Sequence, residues 1–285
     1  METVAIFGVG LIGGSFALAL RSAGFGGRIL GVSSQRTLER AIELGAIDGG
    51  CPLEEACAAA DLIFLAQPIG TILETLTRLN PRVREATLVT DAGSTKAAIV
   101  EAAARHLTRC QFLGGHPLAG KESRGVGAAA AGLFKGRTWA LTPRAAEEME
   151  TPAARDFLHW IGRIGASPVT LDAISHDRVL AYTSHLPQLA STALAAALGA
   201  ALGPEDVLRG RLFGPALLDS TRLALSPFGI WKDIVATNRK FVQSALECYI
   251  IELQRLIRSI ESDPERGTEE QFLAATEFSS RIRGS

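Results

Sequence analysis

Cysteine is scarce and irregularly placed, with four in 285 residues, at Cys51, Cys57, Cys110 and Cys248. That spacing excludes a zinc site built on paired cysteines, and the count is too low for a disulfide-stapled secreted scaffold. The four are expected as buried thiols in a reducing compartment, and no metal is expected. Lysine is scarce too, five against twenty-four arginines, and the scattered cations are balanced by 30 acids to a net charge of −1. No basic stripe remains to track a phosphate backbone, so nucleic acid is not an expected partner. A basic leader is also lacking: Met1-Glu2 runs straight into Thr3-Val4-Ala5-Ile6-Phe7 with no cleavable apolar core, which predicts no secretory signal and a cytoplasmic location. Residues 179–204 lack Asp, Glu, Lys and Arg altogether. A membrane span needs about 20 largely apolar residues. Here His185, Pro187, Gln188, Ser191 and Thr192 interrupt the run and alanine fills much of the rest, so it is expected as a helix buried on all sides by protein and not as a membrane segment.

What is present is an ordinary globular composition, 47% apolar and 21% charged. A chain of this length buries roughly 75% of its unfolded surface and is expected to form two domains. In the first half, short apolar runs at 4–7, 28–32, 62–66, 87–90 and 111–113 alternate with helical spacing at 11–23, 37–44, 71–79 and 95–106. Strands near 138–141 and 167–169 and a helix at 152–164 complete the series. This is the signature of an α/β fold, a Rossmann-like, doubly wound, mostly parallel sheet. After about residue 170 the strand signals stop. Residues 172–201, 215–225 and 228–260 have helical spacing, the last with no glycine or proline in its middle. The expected organisation is a dinucleotide-binding domain at 1–170 and an all-helical substrate and dimerisation domain at 171–285. From residue 262 the chain meets breakers, Asp263-Pro264-Glu265-Arg266-Gly267, and is expected as a loosely docked extension.

Gly8-Val9-Gly10-Leu11-Ile12-Gly13 follows a strand and opens a helix. Gly8 permits the tight turn, Gly10 lets backbone approach a pyrophosphate, and Gly13 lets helix and strand pack closely, with Leu11 and Ile12 in the first helical turn. A tight turn without a ligand is the plainer alternative. The end of the second strand decides the adenosine preference, since an acid there would hydrogen-bond the ribose 2′-hydroxyl of NAD. The run is Gly31-Val32-Ser33-Ser34-Gln35-Arg36, without a carboxylate. Ser33, Ser34 and Arg36 favour a 2′-phosphate and hence NADP, with NAD the alternative. Gln67-Pro68 ends the strand at 62–66 on the same edge. Ser94, in Asp91-Ala92-Gly93-Ser94-Thr95-Lys96, is either the N-cap of the next helix or a substrate contact. His116, in Gly114-Gly115-His116-Pro117-Leu118-Ala119-Gly120-Lys121-Glu122, is expected on an irregular segment after a strand, aimed at a ligand.

These motifs, with His176-Asp177 and Ser184-His185-Leu186-Pro187, occur in an order that resembles the prephenate dehydrogenase family of tyrosine biosynthesis and its arogenate dehydrogenase relatives, over about residues 4–260. The resemblance implies oxidative decarboxylation of prephenate to 4-hydroxyphenylpyruvate with hydride transfer to NAD(P)+. It assigns His116 as acceptor of the C4-hydroxyl proton and Ser94 as partner of that hydroxyl and of His116. It implies that Arg222, in Asp219-Ser220-Thr221-Arg222, binds substrate, as do Trp231, Glu122 and His185 around the pocket. Gln188 stands where many members carry a second histidine, and Ser226-Pro227-Phe228-Gly229 replaces a commoner Ser-Asp-Pro run. Three other readings compete. An arogenate dehydrogenase differs only in substrate. A β-hydroxyacid dehydrogenase would place a lysine three residues after an asparagine, which Asn238-Arg239-Lys240 does not. A non-catalytic dinucleotide-binding regulator would need no base. The expected partners are a small-molecule substrate and a second copy of the chain, as a homodimer.

Overall fold

A computed structural model describes residues 1–121, 123–203 and 213–284. Eight strands form one sheet: β1 (Thr3–Phe7), β2 (Arg28–Val32), β3 (Gly49–Gly50), β4 (Leu62–Leu65), β5 (Leu88–Asp91), β6 (Gln111–Pro117), β7 (Thr138–Thr142) and β8 (Ser167–Thr170). Their order is β3-β2-β1-β4-β5-β6-β7-β8, parallel throughout except for the β6–β7 pair. The order reverses beside β1, which creates the crevice at the carboxyl ends of β1 and β4 where such sheets take ligands. Helices α1 (Leu11–Ser22), α2 (Gln35–Glu43), α3 (Leu53–Ala59), α4 (Ile69–Leu79), α5 (Ala97–His106) and α6 (Pro152–Arg163) make the crossovers.

Alternation along the central strands feeds both faces. Val4 and Ile6 of β1 join one buried cluster with Leu62 and Phe64, while Ala5 and Phe7 join another with Ile63 and Leu65. Strands buried on both faces read as continuous apolar runs, which is why they are legible. On the first face Trp139 is enclosed by Phe134, Phe16, Phe64 and Phe157, at centroid distances of 5.2 to 6.0 Å. Each such side chain contributes about 1.5–3 kcal/mol by burial. β8 is exposed along its length and carries Pro168, which an edge strand tolerates.

The rest is helical: α7 (Ala173–Leu180), a π turn (Ala181–His185), α8 (Leu186–Ala201), α9 (Pro215–Thr221), a 3₁₀ turn (Arg222–Leu225), α10 (Phe228–Thr237), α11 (Arg239–Ser262) and α12 (Arg266–Arg283). Several expectations are corrected here. The helical run 172–201 is interrupted by the π turn, because Pro187 has no N–H to give to the preceding turn. The run 228–260 breaks at Asn238. The extension after 262 is a helix, and just before it Asp263 Oδ1 accepts from the Arg266 backbone N–H at 3.1 Å. α8 is not covered on all sides, for within it only Gln188 and Ser191 are buried. Gln188 Nε2 donates to the Leu223 carbonyl at 2.7 Å and Ser191 Oγ to the Ser220 carbonyl at 2.8 Å, so the polar side chains face inward and satisfy carbonyls of the 3₁₀ turn and of the end of α9. Among the described residues no helix is long and apolar enough to cross a membrane.

Contacts divide the chain into a first unit, Met1–Leu180 with Ala224–Arg239, and a second, Ala181–Leu223 with Lys240–Ser285. This differs from the expected division at 170/171 because α7 and α10 hydrogen-bond to the sheet unit. Asn238 Nδ2 donates to the Asp177 carbonyl at 2.8 Å, and Gly70 N–H donates to Asp233 Oδ2 at 2.8 Å.

Candidate active site

In the first unit, the apolar strand β1 delivers the chain to Gly8, whose φ of +90° and whose approach to the Ala66 carbonyl leave no room for a side chain. A Cβ at Gly13 would lie 2.2 Å from the Gly8 carbonyl oxygen, so α1 can close on β1 only with glycine there. Gly10 is different: nothing lies within 4 Å of where its Cβ would be. It is the N-cap of α1, whose first turn holds no acid and whose N-terminus receives no side-chain cap. Orphan N–H groups and the positive end of a helix dipole therefore meet open space, which fits a pyrophosphate.

That space continues as a cavity of about 450 Å³. Leu11, Ile12, Gln67, Pro68, Gly93 and Ser94 line it from the ends of β1, β4 and β5, and Ile230 and Asp233 line it from α10. Lys121 and Arg124 add cations to its wall. Gln67 is held by Thr75, whose Oγ1 donates to Oε1 at 3.0 Å. Ser33, Ser34 and Arg36 are exposed at the end of β2 and the start of α2. Ser34 Oγ lies 2.9 Å from Thr37 Oγ1.

His116 is not on an irregular segment. β6 continues through Gly114, Gly115 and His116 to Pro117, and His116 pairs opposite Ala140 of β7. Bare glycine backbone permits this, since a Cβ on Gly115 would lie 2.6 Å from the Asp91 carbonyl oxygen. The strand is clamped by an ion pair with no exposed surface. Lys96 Nζ donates to Asp91 Oδ2 and, at 2.7 Å, to the Gly115 carbonyl, while Gly115 N–H donates to Asp91 Oδ1 at 3.0 Å. Burial pushes the Lys96 ammonium below the ordinary lysine range, against the pull of Asp91 and Asp177. The same Asp91 accepts from Gly93 N–H at 2.8 Å, so one carboxylate ties the loop bearing Ser94 to the residue before His116. Ser94 is not the N-cap of α5; that position is Lys96.

His116 is 9% exposed. Its Nδ1 lies 2.9 Å from Nε2 of the fully buried His176, whose own Nδ1 lies 2.8 Å from Asp177 Oδ1. The motif His176-Asp177 was visible in the sequence, but its link to His116 joins residues 60 positions apart and has no local signal. Asp233 and Asn238, which fasten α10 to the sheet unit, carry no sequence signal either. Trp231, also on α10, donates from Nε1 to Ser226 Oγ at 2.9 Å. In the second unit, His185 closes the π turn with 1% exposure, and Arg222 is the exposed C-cap of α9. Glu122 lies outside the described residues.

Two family models match in succession, "Prephenate dehydrogenase, nucleotide-binding domain" over residues 16–164 and "Prephenate dehydrogenase, dimerization domain" over 172–276. The chain belongs to the prephenate dehydrogenase family. Prephenate dehydrogenase of Lactococcus lactis is 32% identical over 276 residues, 95% of this chain and 75% of that one. The structure of prephenate dehydrogenase from Aquifex aeolicus in complex with hydroxyphenyl propionate and NAD+ is similar at a TM-score of 0.90 and 30% identity, covering 99% of this chain and 98% of that one. Synechocystis arogenate dehydrogenase follows at 0.83 and 29%, covering 98% and 99%. This chain is accordingly a dehydrogenase that binds a nicotinamide dinucleotide and oxidatively decarboxylates prephenate, with arogenate the alternative substrate. Family membership sets aside both the β-hydroxyacid dehydrogenase and the non-catalytic regulator.

Proposed function

We propose that this family member acts on prephenate with His116 as its base and NADP as its preferred cofactor. The observation that carries this is the position of His116, nearly buried, one residue beyond the backbone that the Asp91–Lys96 pair ties to the Ser94 loop on the cavity wall. When bound, the nicotinamide supplies the acceptor for the hydride that leaves ring C4. His116 takes the C4-hydroxyl proton as positive character develops on that carbon, so the base acts more in the transition state than in the ground state. Ser94 hydrogen-bonds the hydroxyl. The carbon–carbon bond to the ring carboxylate breaks, its electron pair enters the ring, and carbon dioxide departs. As the resemblance implies, Arg222 pairs with a substrate carboxylate, and Glu122, His185 and Trp231 are assigned as further substrate-binding residues. The exposed Ser33, Ser34 and Arg36, with no acid among them, support 2′-phosphate recognition. The enzyme works as a cytoplasmic homodimer.

Absorbance at 340 nm with prephenate and then arogenate, each with NAD and with NADP, tests the reading. The highest kcat/KM is expected for prephenate with NADP. His116→Asn should lower kcat by about 10²–10⁴ with substrate KM little changed. A variant retaining a tenth of the wild-type kcat removes His116 from the chemistry, and a higher kcat/KM for arogenate overturns the choice of substrate.

A further inference from the structure

The buried chain of rings behind His116 has a direction set at its far end. Asp177 sits at the N-terminus of α5, where Oδ1 accepts from the Lys96 backbone N–H at 2.6 Å and Oδ2 from that of Ala97 at 2.9 Å. A carboxylate only accepts, so its 2.8 Å bond to His176 requires the proton on His176 Nδ1. In the neutral ring Nε2 then holds a lone pair. That atom lies 2.9 Å from His116 Nδ1, which must be the donor. A neutral His116 with its proton on Nδ1 carries its lone pair on Nε2. We propose that Asp177 and His176 are positioning residues that hold His116 as the Nδ1–H tautomer, so that Nε2 is the atom that receives the substrate proton.

This deepens the assignment of His116 as the base and rests on it. Burial makes the device effective: His176 is 0% and Asp177 1% exposed, so no water competes for either bond. Asp177 is fixed from a third side by Asn238 Nδ2, which donates to its carbonyl. Proton uptake at Nε2 leaves every donor and acceptor in the chain where it was, so charging the ring requires no rearrangement.

The tautomers can be read by long-range proton–nitrogen NMR of ¹⁵N-histidine-labelled protein at pH 8. With five histidines in the chain, the His116→Asn spectrum assigns the signals of interest. Wild-type His116 should show a protonated Nδ1 and a bare Nε2. Asp177→Asn offers an N–H to His176 Nδ1, moves the His176 proton to Nε2 and should reverse the His116 pattern, with kcat down about 10²–10⁴ and substrate KM nearly constant. His176→Gln keeps an amide donor for Asp177 and a carbonyl acceptor for His116, and should preserve both the wild-type tautomer and kcat within about tenfold. His176→Leu should lose both. This glutamine and leucine pair decides the matter even where Asp177→Asn fails to fold. A wild-type His116 protonated on Nε2, or a His176→Leu enzyme with wild-type tautomer and kcat, overturns the proposal while leaving the base assignment standing. An active His116→Asn enzyme would sink the base assignment instead, whatever the tautomers.

Discussion

Lys96 is among the largest side chains with no exposed surface, and it shares that isolation with Asp91. Removing one partner of a buried pair strands the other charge, at a cost of about 3–5 kcal/mol, more than the pair itself contributes. Lys96→Met should therefore lower the first thermal transition markedly, while Lys96→Met combined with Asp91→Asn should recover part of the loss, as scanning calorimetry would show. The folded fraction of the single variant should also turn over slowly, since the Gly115 carbonyl next to His116 loses its ammonium donor. Unchanged stability in the single variant would mean that the charge is not isolated. At this scale the sequence was legible where chemistry is local. Gly8, Gly10 and Gly13, between a strand and a helix, point to a phosphate turn, and His116 stands out among glycines. The Asp91–Gly115 and His116–His176 links join strands and helices far apart in the chain, and no pattern within a window of residues encodes them.

Elements were legible to the extent that burial imposes a period. β2 runs over the residues expected, Arg28–Val32, because its apolar side chains face two cores. α3, seven residues after Pro52, was missed for want of length, and the strand β6 was cut short because glycines normally end strands. Asn238 ends α10 although it is neither glycine nor proline; its side chain bonds the Asp177 carbonyl, a tertiary demand that overrides propensity. The junction of β2 with α2 carries a prediction of its own. Ser33 is exposed there beside Ser34, followed by Arg36. A carboxylate at this point accepts from a free 2′-hydroxyl and repels a 2′-phosphate. Ser33→Asp should turn the preference from NADP to NAD, mainly through cofactor KM, with kcat on prephenate nearly constant. A wild-type enzyme with the lower KM for NAD would show that the two serines and Arg36 do not read the phosphate.

At the scale of the whole molecule, the two units differ in how they are covered. The sheet unit encloses its apolar residues on both faces. In the second unit the long helices leave theirs outside: Ile250 and Ile257 on α11 are 50% and 56% exposed, and Phe272 and Phe278 on α12 are 67% and 58% exposed. Single apolar residues on a surface are ordinary, but aromatic and branched side chains recurring along two helices of one unit make a surface that water disfavours. A second copy of the same unit can cover it, because a two-fold axis lets one patch serve as its own complement. A stable homodimer of this kind buries about 1,600 Å² or more, with an apolar centre. Light scattering at micromolar concentration should return twice the 30.1 kDa chain mass. Placing charges in the patch, as in Phe272→Glu with Ile257→Lys, should shift the protein toward the monomer while leaving the dinucleotide affinity of the first unit intact, since none of the residues lining that cavity is changed. A wild-type mass of 30 kDa under these conditions, with the patch exposed to a hydrophobic dye, would mean that the helices of the second unit are not a subunit interface.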